Sequence, residues 1–270
     1  MMVLKVGIIG YGAIGKDVAQ YIREKKAGDA ELTALLVRSK EKYQELEQDG
    51  YIVCDDEQAF FQLGLDVIVE NAGHEAVYQY AEKALLTGSD FVVVSVGAFA
   101  DAQLLDRVQK AAEQYKTRLI LPSAAIAGLD RVAASMFNTL DEVKLVTRKP
   151  PNAWRGTIAE DKVDLDTVAE PVCIYKGTAR ESSKLFPEST NVSAALSLAG
   201  IGFDETKVEV YVDPSLKKNT HQIIVKGFFG EAEIKVQNTP SADNPKSGYI
   251  VAMSICKALK NLTSPILIGI

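Results

Sequence analysis

Apolar and polar positions alternate along the first 122 residues in a way that predicts short strands separated by helices. Runs rich in β-branched residues, such as Val67-Ile68-Val69, are each followed by a longer segment with helical spacing. The predicted strands are residues 4–9, 32–37, 67–70, 91–95 and 118–121, and the predicted helices are 16–26, 40–48, 75–87 and 102–115. Strands that are apolar on both faces are typical of a parallel sheet covered by helices. We therefore predict an α/β fold with a Rossmann-type, doubly wound parallel sheet.

Pro122 marks a change in the pattern, and from about Leu145 the segments become longer and more mixed. Three later segments alternate as half-buried antiparallel strands do, namely residues 208–212, 222–226 and 232–237. Residues 213–219 have the turn chemistry to join the first two of these strands, and Phe228-Phe229-Gly230 can turn into the third. Residues 247–262 return to helical spacing.

These changes in pattern predict two domains. We expect a dinucleotide-binding domain at residues 1–122, with a C-terminal helix at about 246–270 packing back on it. We expect a second α+β domain at residues 123–245, with a mostly antiparallel sheet, for catalysis, substrate binding and oligomerisation.

A glycine-rich turn, Gly10-Tyr11-Gly12-Ala13-Ile14-Gly15, links the first predicted strand to the first helix. Gly10 permits a tight turn, Gly12 lets a pyrophosphate approach the backbone, and Gly15 lets the helix pack closely. The start of the helix also offers N–H groups and a positive dipole end to phosphates. We call residues 10–15 the glycine loop and predict that Gly10, Gly12, Ala13, Ile14 and Gly15 bind NADP or NAD.

The choice between the two coenzymes depends on the end of the second predicted strand, which continues as Arg38-Ser39-Lys40. Arg38 lies 23 residues after Gly15, where an NAD-selective enzyme usually has an acidic residue. A guanidinium here can pair with a 2′-phosphate, and Ser39 adds a hydrogen-bond donor. We predict that Arg38 and Ser39 contact the coenzyme and that NADP is accepted. A solvated basic turn remains the alternative.

Composition and charge narrow the possible partners. The chain of 270 residues has a net charge of −6 and no basic tract, which disfavours nucleic acid and anionic membranes. The first strand begins too early for a signal peptide and no apolar stretch is long enough to span a membrane, so we expect a cytoplasmic protein. Cys54, Cys173 and Cys256 lie far apart, so we expect three buried thiols and no metal site.

The chain has two histidines, so few side chains can transfer protons near neutral pH. His221 follows a polar turn at the beginning of a strand, where a side chain can face a cleft, and it is the better candidate for a general acid or base. A half-exposed strand histidine is the alternative. His74 follows the strand that ends at Glu70 and is either near the nicotinamide or simply the first residue of a helix.

Several segments occur together in one order, and this is more specific than the glycine loop. They are residues 95–101 (SVGAFAD), 122–130 (PSAAIAGLD), 177–181 (GTARE), 186–187 (FP), 191–196 (NVSAAL), 213–221, 238–241 (NTPS) and 244–246 (NPK). Through these segments the chain resembles the L-aspartate dehydrogenase family along nearly its whole length. The resemblance implies oxidative deamination of L-aspartate to iminoaspartate or oxaloacetate plus ammonia, or the reverse, with NAD or NADP.

The resemblance further implies that His221 is the catalytic histidine, that Ala125 and Asn191 contact the coenzyme, and that the protein is a homodimer or a larger homo-oligomer. Two positions depart from the family's pattern. Glycine is usual where this chain has Ala124, and asparagine is usual where it has Ser189. A Cβ at a close backbone approach, or a hydroxyl in place of an amide, is expected to alter substrate affinity or preference.

A dicarboxylate substrate needs cationic or N–H partners. The candidates are Lys149, Arg155, Arg180 and Lys246, each of which is alternatively a surface charge. Two other functions remain open at this point. One is a related two-domain reductase or amino-acid dehydrogenase with another substrate, and the other is a non-catalytic NAD(P)-binding regulator in which His221 is structural.

Overall fold

A computed structural model describes residues 3–186, 189–241 and 248–269 of the chain. The chain divides into two compact units. Unit 1 comprises Met1–Ala124 and Tyr249–Ile270, and unit 2 comprises Ala125–Gly248. Each unit has a sheet of its own, parallel in unit 1 and mostly antiparallel in unit 2. This confirms the predicted fold class.

Unit 1 is built on a six-stranded parallel sheet with the order β3-β2-β1-β4-β5-β6. The strands are β1 (Leu4–Ile9), β2 (Ala30–Leu36), β3 (Ile52–Cys54), β4 (Val67–Glu70), β5 (Asp90–Val93) and β6 (Leu119–Ile120). The prediction missed β3, because three residues are too few to show a period. The strand order changes direction between β1 and β4, and ligands of such sheets bind at the carboxyl ends of the strands at this switch point.

Helices cover the parallel sheet. The first five are α1 (Ala13–Arg23), α2 (Gln44–Gln48), α3 (Glu57–Phe61), α4 (His74–Leu86) and α5 (Ala102–Tyr115). The glycine loop itself contains the beginning of α1, which starts at Ala13 because Gly12 is its N-cap. Asp101 caps α5 by accepting hydrogen bonds from two backbone N–H groups of the first turn. Side-chain capping by Asp101 therefore fixes where α5 starts.

Unit 2 is built on a five-stranded sheet with the order β11-β10-β7-β9-β8. Its elements are β7 (Leu140–Lys149), β8 (Val172–Thr178), β9 (Lys207–Val212), β10 (Thr220–Gly227) and β11 (Gly230–Gln237), with helices α6 (Leu129–Ser135), α7 (Ala179–Leu185) and α8 (Thr190–Ala199). Neighbouring strands are antiparallel except β7 and β9, which are parallel. The sequence predicted β9, β10 and β11 but missed β7 and β8.

The connections within unit 2 correct one expectation. Phe228 and Phe229 form the turn of a β10–β11 hairpin, as predicted, with Gly227 opposite Gly230. Residues 213–219 do connect β9 to β10, but these strands are not neighbours, because β7 lies between them. The polar turn therefore crosses over the end of β7, and this places it beside the last residues of that strand.

The last helix, α9 (Ile250–Thr263), belongs to unit 1. Its buried residues Val251 and Ile255 share a hydrophobic cluster with Val18 and Ile22 of α1, so the helix packs on the parallel sheet's first crossover helix. No helix in the described ranges has the length and apolar character needed to cross a bilayer.

The three cysteines differ in burial. Cys54 and Cys256 are buried, as expected, but Cys173 is exposed, so the expectation of three buried thiols is wrong for it. Cys173 lies on the edge strand β8, next to buried Ile174.

Candidate functional site

The glycine loop has a separate steric reason for each of its glycines. Gly10 has a φ of +89°, and an added Cβ would lie 2.8 Å from the Cβ of Ala72. An added Cβ at Gly15 would collide with the carbonyl oxygen of Gly10. At Gly12, by contrast, an added Cβ would have no described atom within 4 Å. The backbone is therefore tightly packed on two sides and open at Gly12.

The open space at Gly12 lies at the N-terminus of α1, where Gly12 provides no side-chain cap. The N–H groups of the first helical turn have no acceptor within their own helix. A bare backbone next to such donors fits a pyrophosphate, because an anion can approach without meeting a Cβ. The structure thus brings together Gly10, Gly12, Ala13, Ile14 and Gly15 in a geometry that suits a dinucleotide.

Arg38 and Ser39 follow β2, which pairs with β1 in parallel register. The N–H of Gly10 donates to the carbonyl oxygen of Leu36 at 2.9 Å, so the end of β2 lies beside the glycine loop. Arg38 is exposed. Ser39 Oγ donates to the Glu41 carboxylate at 2.6 Å, and this bond lowers the pKa of Glu41. The segment therefore offers both a guanidinium and a carboxylate.

An aromatic pair connects the glycine loop to the same segment. The ring of Tyr11 meets the ring of Tyr43 edge to face, with centroids 5.5 Å apart. Sequence reasoning missed this pair, because the two tyrosines are 32 residues apart and Tyr11 stands at a variable position of the glycine motif.

Glu70 ends β4 and is fully buried, with 0% of its surface exposed. Its carboxylate accepts hydrogen bonds from the N–H groups of Ala72 at 2.7 Å and Gly73 at 2.8 Å. It also accepts from the N–H of Ser95 at 3.1 Å and from its hydroxyl at 2.9 Å. Burial raises the pKa of Glu70, while these hydrogen bonds act in the opposite direction. The signal in the sequence was a glutamate at the end of an apolar strand.

Asn71 and His74 follow Glu70 at the carboxyl edge of the parallel sheet. Both polar atoms of the Asn71 amide are buried and have no hydrogen-bond partner among the described residues. An added Cβ at Gly15 would lie 3.1 Å from the Asn71 Oδ1, so this amide lies directly under the glycine loop. His74 is the first residue of α4.

His221 lies on β10 in unit 2, opposite Thr147 of β7. Its Nδ1 and the Oγ1 of Thr147 are 3.1 Å apart and share a hydrogen bond whose direction depends on the histidine tautomer. The side chain is only 6% exposed, so the alternative of a half-exposed strand histidine is wrong. Burial, and then the positive charge of Lys149, lower the pKa of His221 to about 3. The imidazole is therefore neutral at physiological pH.

Lys149 is the last residue of β7 and is only 6% exposed. It lies two residues beyond Thr147, so its side chain leaves the same face of the sheet as that of Thr147. Its Nζ is 4.4 Å from the centre of the Trp154 ring, which holds the ammonium by a cation–π contact. Trp154 is itself fixed, because its Nε1 donates to the carbonyl oxygen of Tyr211 at 3.2 Å.

The other predicted cations have different surroundings. Arg155 forms an ion pair with Asp166 at the surface. Arg180 forms one with Asp204, in which Nη2 and Oδ2 are 2.9 Å apart. Lys246 lies outside the described residues. Of the three cations that the structure describes, Lys149 is the one whose charge acts on His221.

Ala124 and Ala125 adjoin the boundary between the two units. Ala124 has a φ of +48°, a left-handed conformation that favours glycine, and its N–H donates to Ser254 Oγ at 2.9 Å. The carbonyl oxygen of Ala125 accepts a hydrogen bond from the Asn238 amide at 2.7 Å. The backbone on each side of the boundary is thus held by a side chain of its own unit.

Asn191 is exposed in the first turn of α8. Ser189 precedes that helix and is buried, and its hydroxyl has no hydrogen-bond partner among residues 3–186, 189–241 and 248–269. Within the same ranges no group of three or more histidine, cysteine or acidic side chains is placed to hold a metal ion.

Two family models match the chain. The C-terminal model of aspartate dehydrogenase matches residues 130–262, and the NAD binding domain model of homoserine dehydrogenase matches residues 10–122. The first match includes Lys149 and His221, and the second includes the glycine loop, Arg38 and Ser39.

Similar proteins span nearly the whole chain. L-Aspartate dehydrogenase of Methanosarcina barkeri is 38% identical over 270 residues, covering 98% of this chain and 99% of that protein. L-Aspartate dehydrogenase of Brucella anthropi is 36% identical over 254 residues, covering 94% of each. The crystal structure of aspartate dehydrogenase from Thermotoga maritima matches with a TM-score of 0.80 and 27% identity, covering 98% of this chain and 99% of that one.

Proposed function

The chain belongs to the L-aspartate dehydrogenase family, and we propose that it interconverts L-aspartate with iminoaspartate, which hydrolyses to oxaloacetate and ammonia. The observation that carries the proposal is a buried neutral histidine, His221, with the Lys149 cation near it in the unit that the aspartate dehydrogenase model matches. In this proposal unit 1 binds the coenzyme, and unit 2 supplies catalysis, substrate binding and oligomerisation.

The nicotinamide coenzyme, when bound, takes up or returns the hydride of the substrate's Cα. We assign its pyrophosphate to Gly12, Ala13 and Ile14, with Gly10 and Gly15 shaping the loop. We assign the ribose end of the adenosine to Arg38 and Ser39. Ala125 and Asn191 are further proposed contacts, on the strength of the family resemblance.

His221 is the proposed general acid and base. Its neutral imidazole can take a proton from the substrate's amine or from the water that attacks the imine, and can return it in the reverse reaction. If Nδ1 donates to Thr147, Nε2 carries the lone pair that a base needs. An anionic substrate near the ring would raise the pKa of His221 and so help it to hold the proton.

Lys149 is the proposed partner of a substrate carboxylate. The ammonium is largely buried and is held over Trp154. Its charge therefore acts in a low-dielectric environment, and the side chain is already ordered before substrate binds. We expect Lys149→Met to raise the KM for aspartate at least about tenfold, since a hydrogen bond to a charged group contributes roughly 1.5–3 kcal/mol. Arg155→Met, at a surface ion pair, is the matched control and should leave the KM unchanged.

Reduced-nicotinamide absorbance tests the function directly. The protein is mixed with L-aspartate and NAD or NADP, and in the reverse direction with oxaloacetate, ammonia and the reduced coenzyme. We expect turnover in both directions with at least one coenzyme. A panel of other amino and hydroxy acids is tested in the same way. If one of them is turned over faster than aspartate, the result would instead favour a related reductase or amino-acid dehydrogenase. Coenzyme binding without turnover of any of them would favour a regulator.

The quaternary state and location are proposals as well. We propose a homodimer or larger homo-oligomer in the cytoplasm, supported by the family resemblance and, for the location, by three free thiols as in reducing compartments. Light scattering of the purified protein tests the first, and fractionation of the source cells tests the second.

A further inference from the structure

We infer that Glu70 is a positioning residue for the coenzyme: its buried carboxylate holds the turn after β4 against the glycine loop and thereby sets the shape that the pyrophosphate meets. The inference rests on the proposed coenzyme role of unit 1. It concerns a side chain that does not itself touch the coenzyme, because 0% of its surface is exposed.

The position of Glu70 in the sheet is the first argument. β1 and β4 are the two strands between which the order of the sheet reverses, and Ile9 and Glu70 are partners in their register. Gly10 follows Ile9 directly, and Asn71 follows Glu70. Glu70 therefore ends the strand that borders the switch point, where ligands of this fold bind.

The hydrogen bonds of Glu70 are the second argument. Its carboxylate joins two separate loops, the turn after β4 through Ala72 and Gly73, and the segment after β5 through Ser95. Three of these partners are backbone N–H groups, which can only donate. A group that accepts at both oxygens is required here, and a carboxylate meets that requirement while an amide does not.

The contact with Gly10 is the third argument. A Cβ added to Gly10 would lie 2.8 Å from the Cβ and 3.1 Å from the Cα of Ala72, so the two backbones are packed as closely as glycine allows. The N–H of Ala72 is one of the groups that Glu70 holds. A shift of this turn would therefore move the glycine loop, or open a gap beneath it.

The substitution Glu70→Gln tests the inference with little change of shape. The amide oxygen can still accept from Ala72, Gly73 and the Ser95 hydroxyl, but the NH₂ group would face the N–H of Ser95, donor against donor. Ser95→Ala removes the hydroxyl bond alone. Ser89→Ala is the matched control, because Ser89 is equally buried, precedes β5 instead of following it, and makes one bond of 2.7 Å to the carbonyl oxygen of Leu65.

The measurement is the Kd of NADH and NADPH by fluorescence titration, with thermal unfolding of each variant. We expect a Kd about tenfold higher for Glu70→Gln and about threefold higher for Ser95→Ala, and an unchanged Kd for Ser89→Ala despite a similar loss of thermal stability. Steady-state kinetics should show the same rise in the coenzyme KM, with kcat at saturating coenzyme nearly unchanged.

Parent-like Kd values in a folded Glu70→Gln variant would overturn the inference and leave the proposed function intact. If that variant does not fold, the comparison of Ser95→Ala with Ser89→Ala decides, and equal Kd values for those two would overturn it. Failure of the unmodified protein to bind either coenzyme would instead overturn the proposed function.

Discussion

The two sheets of the molecule carry their chemistry in different ways. In unit 1 the candidate groups are mainly backbone, namely the open Gly12 and the N–H groups at the start of α1. In unit 2 they are side chains on the face of a sheet, with Thr147 and His221 brought together from positions 74 residues apart. The difference teaches that the proposed coenzyme site depends on the absence of side chains, whereas the proposed proton-transfer site depends on the burial of side chains.

The largest effect is expected from adding a side chain at Gly12. The backbone there is extended and has open space at the Cβ position, so Gly12→Val should fold. The added side chain would fill the space that a pyrophosphate needs, and coenzyme binding should fall at least about 100-fold, equivalent to roughly 2.7 kcal/mol. Calorimetric titration of NADH checks this. Parent-like affinity would mean that unit 1 binds its ligand elsewhere.

The corresponding change in unit 2 is His221→Ala. We expect kcat to fall by about 10²-fold or more, the size of the loss of one general acid–base, with the coenzyme Kd nearly unchanged. His74→Ala, which changes the other histidine, is the control and should retain most of the activity. Full turnover by His221→Ala would place the proton transfers on another residue.

The burial of His221 also predicts an acid limit to stability. The pKa of His221 is about 3 in the folded protein, below the 6.5 of an exposed histidine, so below pH 6.5 the unfolded chain takes up a proton that the folded protein excludes. The unfolding free energy should therefore fall with pH between 6.5 and about 3, by roughly 2 kcal/mol at pH 5. Denaturant unfolding at pH 7 and pH 5 measures the decrease in unfolding free energy. In His221→Gln this decrease should be smaller by the part that His221 causes. An equal loss in both proteins would show that His221 does not cause it.

The smallest effect is expected at Arg38, which is an exception to the comparison because it is a side chain that we expect to act in unit 1. Arg38→Asp should weaken NADP binding about tenfold while NAD binding holds or improves, because a charge-assisted pair contributes roughly 1.5–3 kcal/mol and the new carboxylate repels a 2′-phosphate. Lys42→Asp makes the same change of charge four residues away and serves as control. The ratio of kcat/KM with the two coenzymes is decisive. An unchanged ratio would favour the alternative interpretation, in which Arg38 belongs to a solvated turn and does not contact the coenzyme.

The same contrast explains what could be predicted from the sequence. The parallel sheet of unit 1 and the glycine loop depend on local patterns, so most of these elements were found, and β3 was missed only for its shortness. In unit 2, β7 was missed although it is the central strand, because its mixed pattern has no clear period. The turn at 213–219 was recognised, but local chemistry does not reveal that it crosses over a third strand.

The side chains that the sequence did not single out are those whose importance arises from burial or pairing. The sequence does not distinguish Glu70 from other glutamates, because its burial and its hydrogen-bond donors are visible only in the structure. Lys149 could not be separated from Arg155 and Arg180 before their ion pairs with Asp166 and Asp204 were seen. The φ of +48° at Ala124 gives a physical reason for the glycine that is usual at this position, since glycine adopts that conformation without strain.

Trp154 gives the protein a built-in optical reporter. It is the one tryptophan of the sequence, it is fully buried, and the ammonium of Lys149 lies over its ring. Indole emission responds to the electric field across the ring, so tryptophan fluorescence senses the charge state of this neighbourhood and no other indole contributes. We therefore expect an anion that binds beside Lys149 to change the emission of Trp154, measured without the reduced coenzyme because its absorption overlaps that emission.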